Sequence, residues 1–499
     1  MADQRHRTYL GKRYRTLGSH AGTLFAMIGV IVLVPATLLP FFPTQQQMAP
    51  GFLLPGFGLM LTGLLLRVVL RPQGNDALTL AEGSAIVVVS WAVAIVAGAF
   101  PFCWAGFDLT RAVFESTSGW TTTGLSIVDA GQISPLLLFF RALMQFAGGA
   151  GFAILMLSLM AAVPAGVGLS TAEGHSEQLV PHIRQSARMV FSFYCVYCLA
   201  GIVGLRLAGM GWFDAVNHAF SAISTGGFHY RADSAASWNS PAVEVVLIVL
   251  MLLGAMNFLT GYTFWRGRWQ AVWKNGELRL MLVLLPLTIV LLSAGTEPPA
   301  GGGVSEQLRA AIFQAVSALT TTGYTTLSLD EWNGFAWLLL IIAMLIGGGT
   351  GSTAGGIKQH RLYLLGRGVM REVAAATLPP RAVHEEMLWL GSQRRPLLDE
   401  DVRKAGLYVG LYLFTWLGGS CALTAFGHPL ADSLFEFAST LGTVGLSVGL
   451  TTFAAPDGQL WLQSAGMILG RLEFFVIIWG LVKIAGDLSI MLPRGSTNE

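Results

Sequence analysis

Apolar stretches long enough to cross a bilayer recur from one end of this chain to the other, separated by short polar segments. A hydrocarbon core of about 30 Å needs roughly 20 helical residues. Such stretches lie near Gly22 to Phe42, Phe52 to Leu70, Ser84 to Phe102, Pro135 to Val163 and Met189 to Leu207. They continue near Val243 to Phe264, Leu278 to Leu292, Phe335 to Ile346 with a broken continuation, Leu407 to Phe426 and Leu460 to Ile490. The pattern predicts about ten spans and an all-α polytopic membrane fold. The first stretch is too long for a cleavable signal, contains Pro35 and Pro40, and runs directly into a second span, so it is expected to stay.

Between the spans lie four segments of moderate polarity, each too short to cross: Phe114 to Ser126, Asn217 to His229, Phe313 to Thr325 and Phe435 to Ser447. They align without a gap. Gly124, Gly227, Gly323 and Gly445 share one column, Thr122, Thr225, Thr321 and Thr443 lie two residues earlier, and Ser118, Ser221, Ser317 and Ser439 lie six earlier. Each is followed by a long apolar span. The unit is therefore span, short helix, Thr-x-Gly loop, span, repeated four times, with the first two spans outside it.

Non-helical backbone inside a membrane is tolerated only where protein buries it or where it lines a watery path. Four such loops are expected to meet around one axis. Glycine permits left-handed dihedrals and close approach of carbonyls, and rings of backbone carbonyls replace the hydration shell in potassium filters. Thr and Gly also mediate plain helix packing in membranes, but four copies in register, at the same place in each unit, favour a shared function. The candidate filter is thus Thr122, Thr123 and Gly124; Thr225, Gly226 and Gly227; Thr321, Thr322 and Gly323; Thr443, Val444 and Gly445.

Two further features follow from cost. The glycine-rich run Gly347 to Lys358, with Gly347, Gly348, Gly349, Gly351, Gly355 and Gly356, cannot continue a regular helix at about 1 kcal/mol per glycine. The third repeat's second span is expected to break there, unless the glycines only permit close packing. Arg471 sits in the last span, where insertion costs about 2.5 to 3.5 kcal/mol, so it should face a pathway or a partner. It is either an electrostatic barrier to cations or a group paired with a buried carbonyl or carboxylate. Glu473 is expected on another face.

The fourfold unit with a glycine in every loop resembles the Trk/Ktr/HKT superfamily of K+ transporters over nearly the whole chain. The resemblance implies four span–pore-helix–span repeats around a central pore, with the segment from Gly347 to Gly356 and Lys358 beneath the filter as a gate and Arg471 pointing at the pore. Members with serine at the first filter glycine tend to conduct sodium, so Gly124 implies potassium as the transported ion. The extra amino-terminal spans look like the Trk branch, whereas GTVGLSVGL looks more like the Ktr branch. The resemblance also implies a homodimer attached to a cytoplasmic nucleotide-binding regulatory ring, with no nucleotide bound by this chain, which lacks a phosphate-binding motif. The division expected is 1–75 for the amino terminus and extra spans, then 76–165, 166–270 and 271–375 for repeats 1 to 3. A cytoplasmic linker at 376–402 precedes repeat 4 at 403–499.

Composition agrees with a membrane class: 53% hydrophobic residues, 12% charged residues and 60 glycines. The basic cluster Arg5, Arg7, Lys12, Arg13 and Arg15 places the amino terminus in the cytoplasm, and an even span number returns the carboxyl terminus there; the resemblance implies a bacterial inner membrane. A net charge of +2 without a basic stripe argues against nucleic acid. Cys195 and Cys198 lack the second ligand pair of a zinc site. Asp108, Asp129, Asp233 and Asp330 near the outer mouth read as solvated, and His218 as structural. His175, His182, Glu173 and Glu177 read as a loop docking the partner. No enzyme motif is present. Alternatives are H+- or Na+-coupled K+ symport on the same fold, and a symporter for an organic solute built from inverted repeats.

Overall fold

The computed structural model describes residues 2–71, 78–151, 183–229, 234–295, 303–329, 332–377, 386–390 and 393–491. The architecture is almost wholly helical. An amino-terminal pair, α1 (Ala2–Leu33) and α2 (Ala49–Val69), packs closely because small residues face each other. A side chain at Gly29 would overlap the Gly56 carbonyl, and one at Gly63 the Gly22 carbonyl. The expected first span does not run to Phe42 as an α-helix. After Leu33 it tightens into a 3-10 segment, Val34–Phe41, because Pro35 and Pro40 remove backbone donors.

Repeat 1 comprises α3 (Leu80–Trp104), pore helix α4 (Leu109–Trp120) and α5 (Pro135–Phe146). Repeat 2 comprises α6 (Ile183–Leu207), pore helix α7 (Trp212–Ile223), α8 (Pro241–Ala255) and α9 (Phe258–Trp265). A short helix α10 (Trp269–Lys274) leads to repeat 3: α11 (Gly276–Gly295), pore helix α12 (Val304–Leu319), α13 (Gly334–Ile346) and α14 (Gln359–Thr377). A hairpin of β1 (Met387–Leu390) and β2 (Gln393–Pro396), antiparallel with Met387 opposite Pro396, precedes repeat 4. That repeat has α15 (Asp399–Ala425), pore helix α16 (Leu430–Gly442), α17 (Asp457–Leu472) and α18 (Phe474–Met491).

The second span of every repeat breaks, which the sequence announced only for the third. In repeat 1, Gly149 leaves helical dihedrals (ψ −120°). In repeat 2 the helix stops at Ala255, with Met256 extended. In repeat 3, Gly347 to Lys358 separates α13 from α14. In repeat 4, α17 and α18 meet at 102° about Glu473, whose φ is 61°, so Leu460 to Ile490 is not one continuous span. Among the described residues, six helices are long and apolar enough to cross a membrane, seven if the bent pair α17–α18 is counted as one broken span, and three shorter apolar helices are also present.

Packing closes the repeats on themselves. Each second span lies against the short helix of the next repeat, α5 on α7, α8 on α12, α13 on α16, and α17 back on α4. The amino terminus is fastened to this body by a buried pair of Arg13 and Glu82, in which Arg13 Nε donates at 2.8 Å, and by Tyr14 Oη donating to Asp487 at 2.7 Å. Glu82 also closes a capping box with Thr79 at the start of α3. Leu54, Leu61, Leu65, Val283 and Val290 on α2 and α11 are exposed and apolar, as lipid-facing surfaces require.

Candidate ion pathway

The four short helices α4, α7, α12 and α16 end alike. Thr122, Thr225, Thr321 and Thr443 adopt left-handed dihedrals, with φ of 55°, 50°, 55° and 50°. Their N–H groups donate to Gly119, Ala222, Ala318 and Thr440 at 3.1 to 3.2 Å. The next N–H in each loop reaches back to Ser118, Ser221, Ser317 and Ser439 at 2.8 to 3.0 Å. This is a Schellman termination, whose left-handed position usually belongs to glycine. A β-branched residue there is a genuine outlier, costing about 1–2 kcal/mol.

Two residues on, Gly124, Gly227, Gly323 and Gly445 have φ between 70° and 97°. A side chain at Gly124 would overlap the Gly226 carbonyl oxygen, one at Gly227 that of Thr322, one at Gly323 that of Val444, and one at Gly445 that of Thr123. The same contact therefore passes from loop to loop in chain order and returns to the first. The loops form a closed ring, and no side chain fits at any of the four glycines.

Behind the ring lies a column that sequence reasoning missed apart from His218: Glu115, His218, Gln314 and Glu436, all fully buried. Glu115 accepts from Ser126 Oγ and the Ile127 N–H at 2.8 Å each, and pairs with buried Arg141 at 3.2 Å. Arg141 lies 4.0 Å over the Phe228 ring. Glu436 accepts from Ser447 Oγ at 2.8 Å, the Val448 N–H at 2.9 Å, and Thr451. Both carboxylates thus clamp the segment that follows the glycine of their own loop. His218 Nδ1 lies 2.9 Å from the Asp214 carbonyl, with its ring against Trp238 and Tyr324, a structural arrangement. The signal was available, since one alignment column is polar in all four copies.

The glycine run folds as a loop closed at its neck. Ile357, Lys358 and Gln359 donate backbone N–H groups to Leu345, Ile346 and Gly348 at 2.9 to 3.0 Å. Gly347 and Gly356, with φ of 71° and 79°, touch so closely that neither admits a side chain. The Gly349 and Thr353 N–H groups bond the Ala255 and Gly254 carbonyls at the repeat 2 break. Gly351, at φ 69°, accepts from the Phe258 N–H. Lys358 turns back and donates to the Ala354 carbonyl. The tip meets the four-loop ring: the Gly355 N–H donates to Thr321 Oγ1 at 2.7 Å, and Thr225 Oγ1 lies 3.2 Å from Thr353 Oγ1. A side chain at Gly355 would overlap Thr443. Gly348 packs on Ala354.

Arg471, in the last turn of α17, donates to the Thr353 carbonyl at 2.5 Å and to the Gly148 and Gly149 carbonyls at 2.7 and 2.9 Å. It pairs with backbone carbonyls, one of the two roles expected, and so ties repeat 4 to the loop of repeat 3 and the break of repeat 1. Glu473 pairs with Arg361 at 2.6 Å, and that guanidinium lies 3.6 Å over the Tyr408 ring. Asp108 caps α4 and bonds Arg111. Burial acts to raise the Asp108 pKa, but the Arg111 hydrogen bonds and charge prevail and hold it below the usual value. Asp129 serves its own turn through Gly131 and Gln132. Cys195 and Cys198 are free, Cys198 being buried. Asp233, Asp330, Glu173, His175, Glu177, His182 and the expected 165/166 boundary lie outside the described residues.

A family model described as "TrkH: Cation transport protein" matches residues 67–488. The Trk system potassium uptake protein TrkH of Salmonella typhimurium is 30% identical over 414 residues, covering 80% of this chain and 84% of that protein. An uncharacterized cation transporter of Methanocaldococcus jannaschii is 27% identical over 463 residues, 92% of this chain and 93% of that protein. The crystal structure of the potassium transporter TrkH from Vibrio parahaemolyticus superposes with a TM-score of 0.81 at 28% identity, covering 93% of this chain and 98% of that one. This chain, with its ring of four loops, belongs to the TrkH family of cation transport proteins.

Proposed function

We propose that this chain carries K+ across the bacterial cytoplasmic membrane, the ion shedding its water into carbonyls of Thr122 to Gly124, Thr225 to Gly227, Thr321 to Gly323 and Thr443 to Gly445. The observation that carries the reading is the closed ring of glycine-to-carbonyl contacts, which leaves room for backbone and none for side chains. The buried hydroxyls of Thr122 and Thr443 have no hydrogen-bond partner among the described residues, which leaves their oxygen lone pairs free to coordinate a dehydrated cation. The relatives named for potassium uptake point to the same ion.

In this reading Gly347 to Lys358 is the gate beneath the filter and Arg471 its latch. The loop bonds Thr321 directly, and Arg471 adds a positive charge on the loop's carbonyl. Opening needs the loop to leave these partners. A cytoplasmic nucleotide-binding ring on a homodimer supplies that work, with both termini on its side of the membrane. The repeats divide at 76–165, 166–270, 271–375 and 403–499, joined by a linker at 376–402 that carries the β-hairpin. Coupling to a second ion is not required at ordinary K+ levels: about 2.3 kcal/mol per charge per 100 mV supports roughly 40-fold accumulation. Gly323→Ser tests the filter assignment. The K+/Na+ flux ratio should fall about tenfold or more, a change of about 1.4 kcal/mol; an unchanged ratio removes the loop from the pathway.

A further inference from the structure

Resting on the filter reading, one loop of the ring is built differently from the other three. At the position before the filter glycine, repeats 1, 3 and 4 carry Thr123, Thr322 and Val444, whereas repeat 2 carries Gly226. The side chains of Thr123 and Thr322 fix their loops by 2.8 Å hydrogen bonds to Thr121 and Thr320. Gly226 has no side chain to do this. Its place is taken from outside the loop. Gln145, on α5 of the neighbouring repeat and fully buried, sets its terminal amide where a side chain at 226 would stand, so that an added Cβ would overlap the Gln145 Cδ, Oε1 and Nε2 atoms.

The amide is engaged at both ends. Gln145 Nε2 donates to the Gly226 carbonyl at 2.6 Å. Gln145 Oε1 accepts from Ser221 Oγ at 2.5 Å and from the Phe228 N–H at 3.3 Å. Those three partners lie before, within and after the second filter loop. One planar group therefore holds the end of pore helix α7, the carbonyl that abuts Gly124, and the exit of the loop. It belongs to a different repeat, so it also fixes the spacing between loops 1 and 2.

We infer that Gln145 is a positioning residue for ion selectivity, acting as the missing side chain of the second filter loop and orienting the Gly226 carbonyl. A carbonyl that loses its fixed direction can follow a smaller ion inward, so discrimination against Na+ falls while conduction continues. A donor that merely fills volume would not do this. Gln145→Leu keeps the bulk and removes both hydrogen-bonding ends; Gln145→Glu keeps the acceptor and removes the donor to Gly226.

The test measures K+, Rb+ and Na+ flux of the full chain in liposomes, with elution profile and thermal stability recorded for each variant. Gln145→Leu and Gln145→Glu should each lower the K+/Na+ ratio at least about fivefold, about 1 kcal/mol. Gly226→Thr alone should do the same, because its side chain competes with Gln145 for one space. The double variant Gln145→Ala with Gly226→Thr should recover most of the ratio by giving repeat 2 the threonine that loops 1 and 3 possess. If the single variants fold and keep wild-type selectivity, or if the double variant is as impaired as the sum of the singles, Gln145 has no positioning role. Gly323→Ser separates the two claims: if it alters selectivity while Gln145 variants do not, the filter stands and this inference falls, whereas unchanged selectivity in both overturns the filter as well.

Discussion

Four threonines held at φ near 50° are a costly choice where glycine would sit without strain. Backbone strain of this kind concentrates at functional sites, where surrounding structure holds it in place. The hydroxyls have uses glycine could not serve: Thr321 accepts from the Gly355 N–H, Thr225 meets Thr353, and those of Thr122 and Thr443 have no partner among the described residues and face the ion in the proposed reading. Replacing Thr122 by Gly should therefore leave thermal stability unchanged or raise it by about 1 kcal/mol, while lowering K+/Na+ discrimination. Melting and flux assays on the same preparation check both halves; lower stability with intact selectivity would mean the hydroxyl serves packing alone. At this scale the sequence was most legible. The Ser, Thr and Gly columns mark the reach-back carbonyl, the left-handed turn and the close approach, because a backbone geometry repeated four times leaves the same residues in each copy. Gln145 was not legible, since nothing in its own helix signals that a glycine in another repeat lacks a partner.

Among the elements, the broken second spans are where the proposed gate is built. The glycine run announced the break in repeat 3 through local propensity. Glu473 carries no such signal, and its break is set by its pairing with Arg361 and by Arg471 reaching across to two other repeats. Local sequence cannot show a bend that tertiary bonds impose. Arg471→Ala leaves three carbonyls without that donor and removes the charge, so basal K+ flux should rise several-fold without the cytoplasmic partner. Arg471→Lys should fall between, because a single ammonium cannot span Gly148, Gly149 and Thr353 as the forked guanidinium does. Thr321→Val frees the Gly355 N–H at about 1–3 kcal/mol and should raise flux in the same direction. Combining Thr321→Val with Arg471→Ala should give less than the product of the two effects, since both act on one loop. Flux at or below wild type in both singles would remove the latch.

For the whole molecule, packing of α17 onto α4 closes four consecutive units into one ring, while α1 and α2 stand outside it. The amino-terminal pair is secured by Arg13 on Glu82, buried on both sides. Removing one partner of a buried pair costs about 3–5 kcal/mol, so Arg13→Ala should lower the melting temperature while leaving the K+/Na+ ratio of the folded fraction unchanged. Altered selectivity would place the amino terminus in the pathway. The central claim, that the four-loop ring is a K+-selective passive conduit, is tested most directly by current through the purified chain in liposomes under imposed K+, Na+ and proton gradients. The current should reverse at the K+ equilibrium potential, favour K+ over Na+, and ignore an opposing proton gradient. A reversal potential that moves with the proton or Na+ gradient, or no cation current even with the cytoplasmic partner supplied, would contradict it.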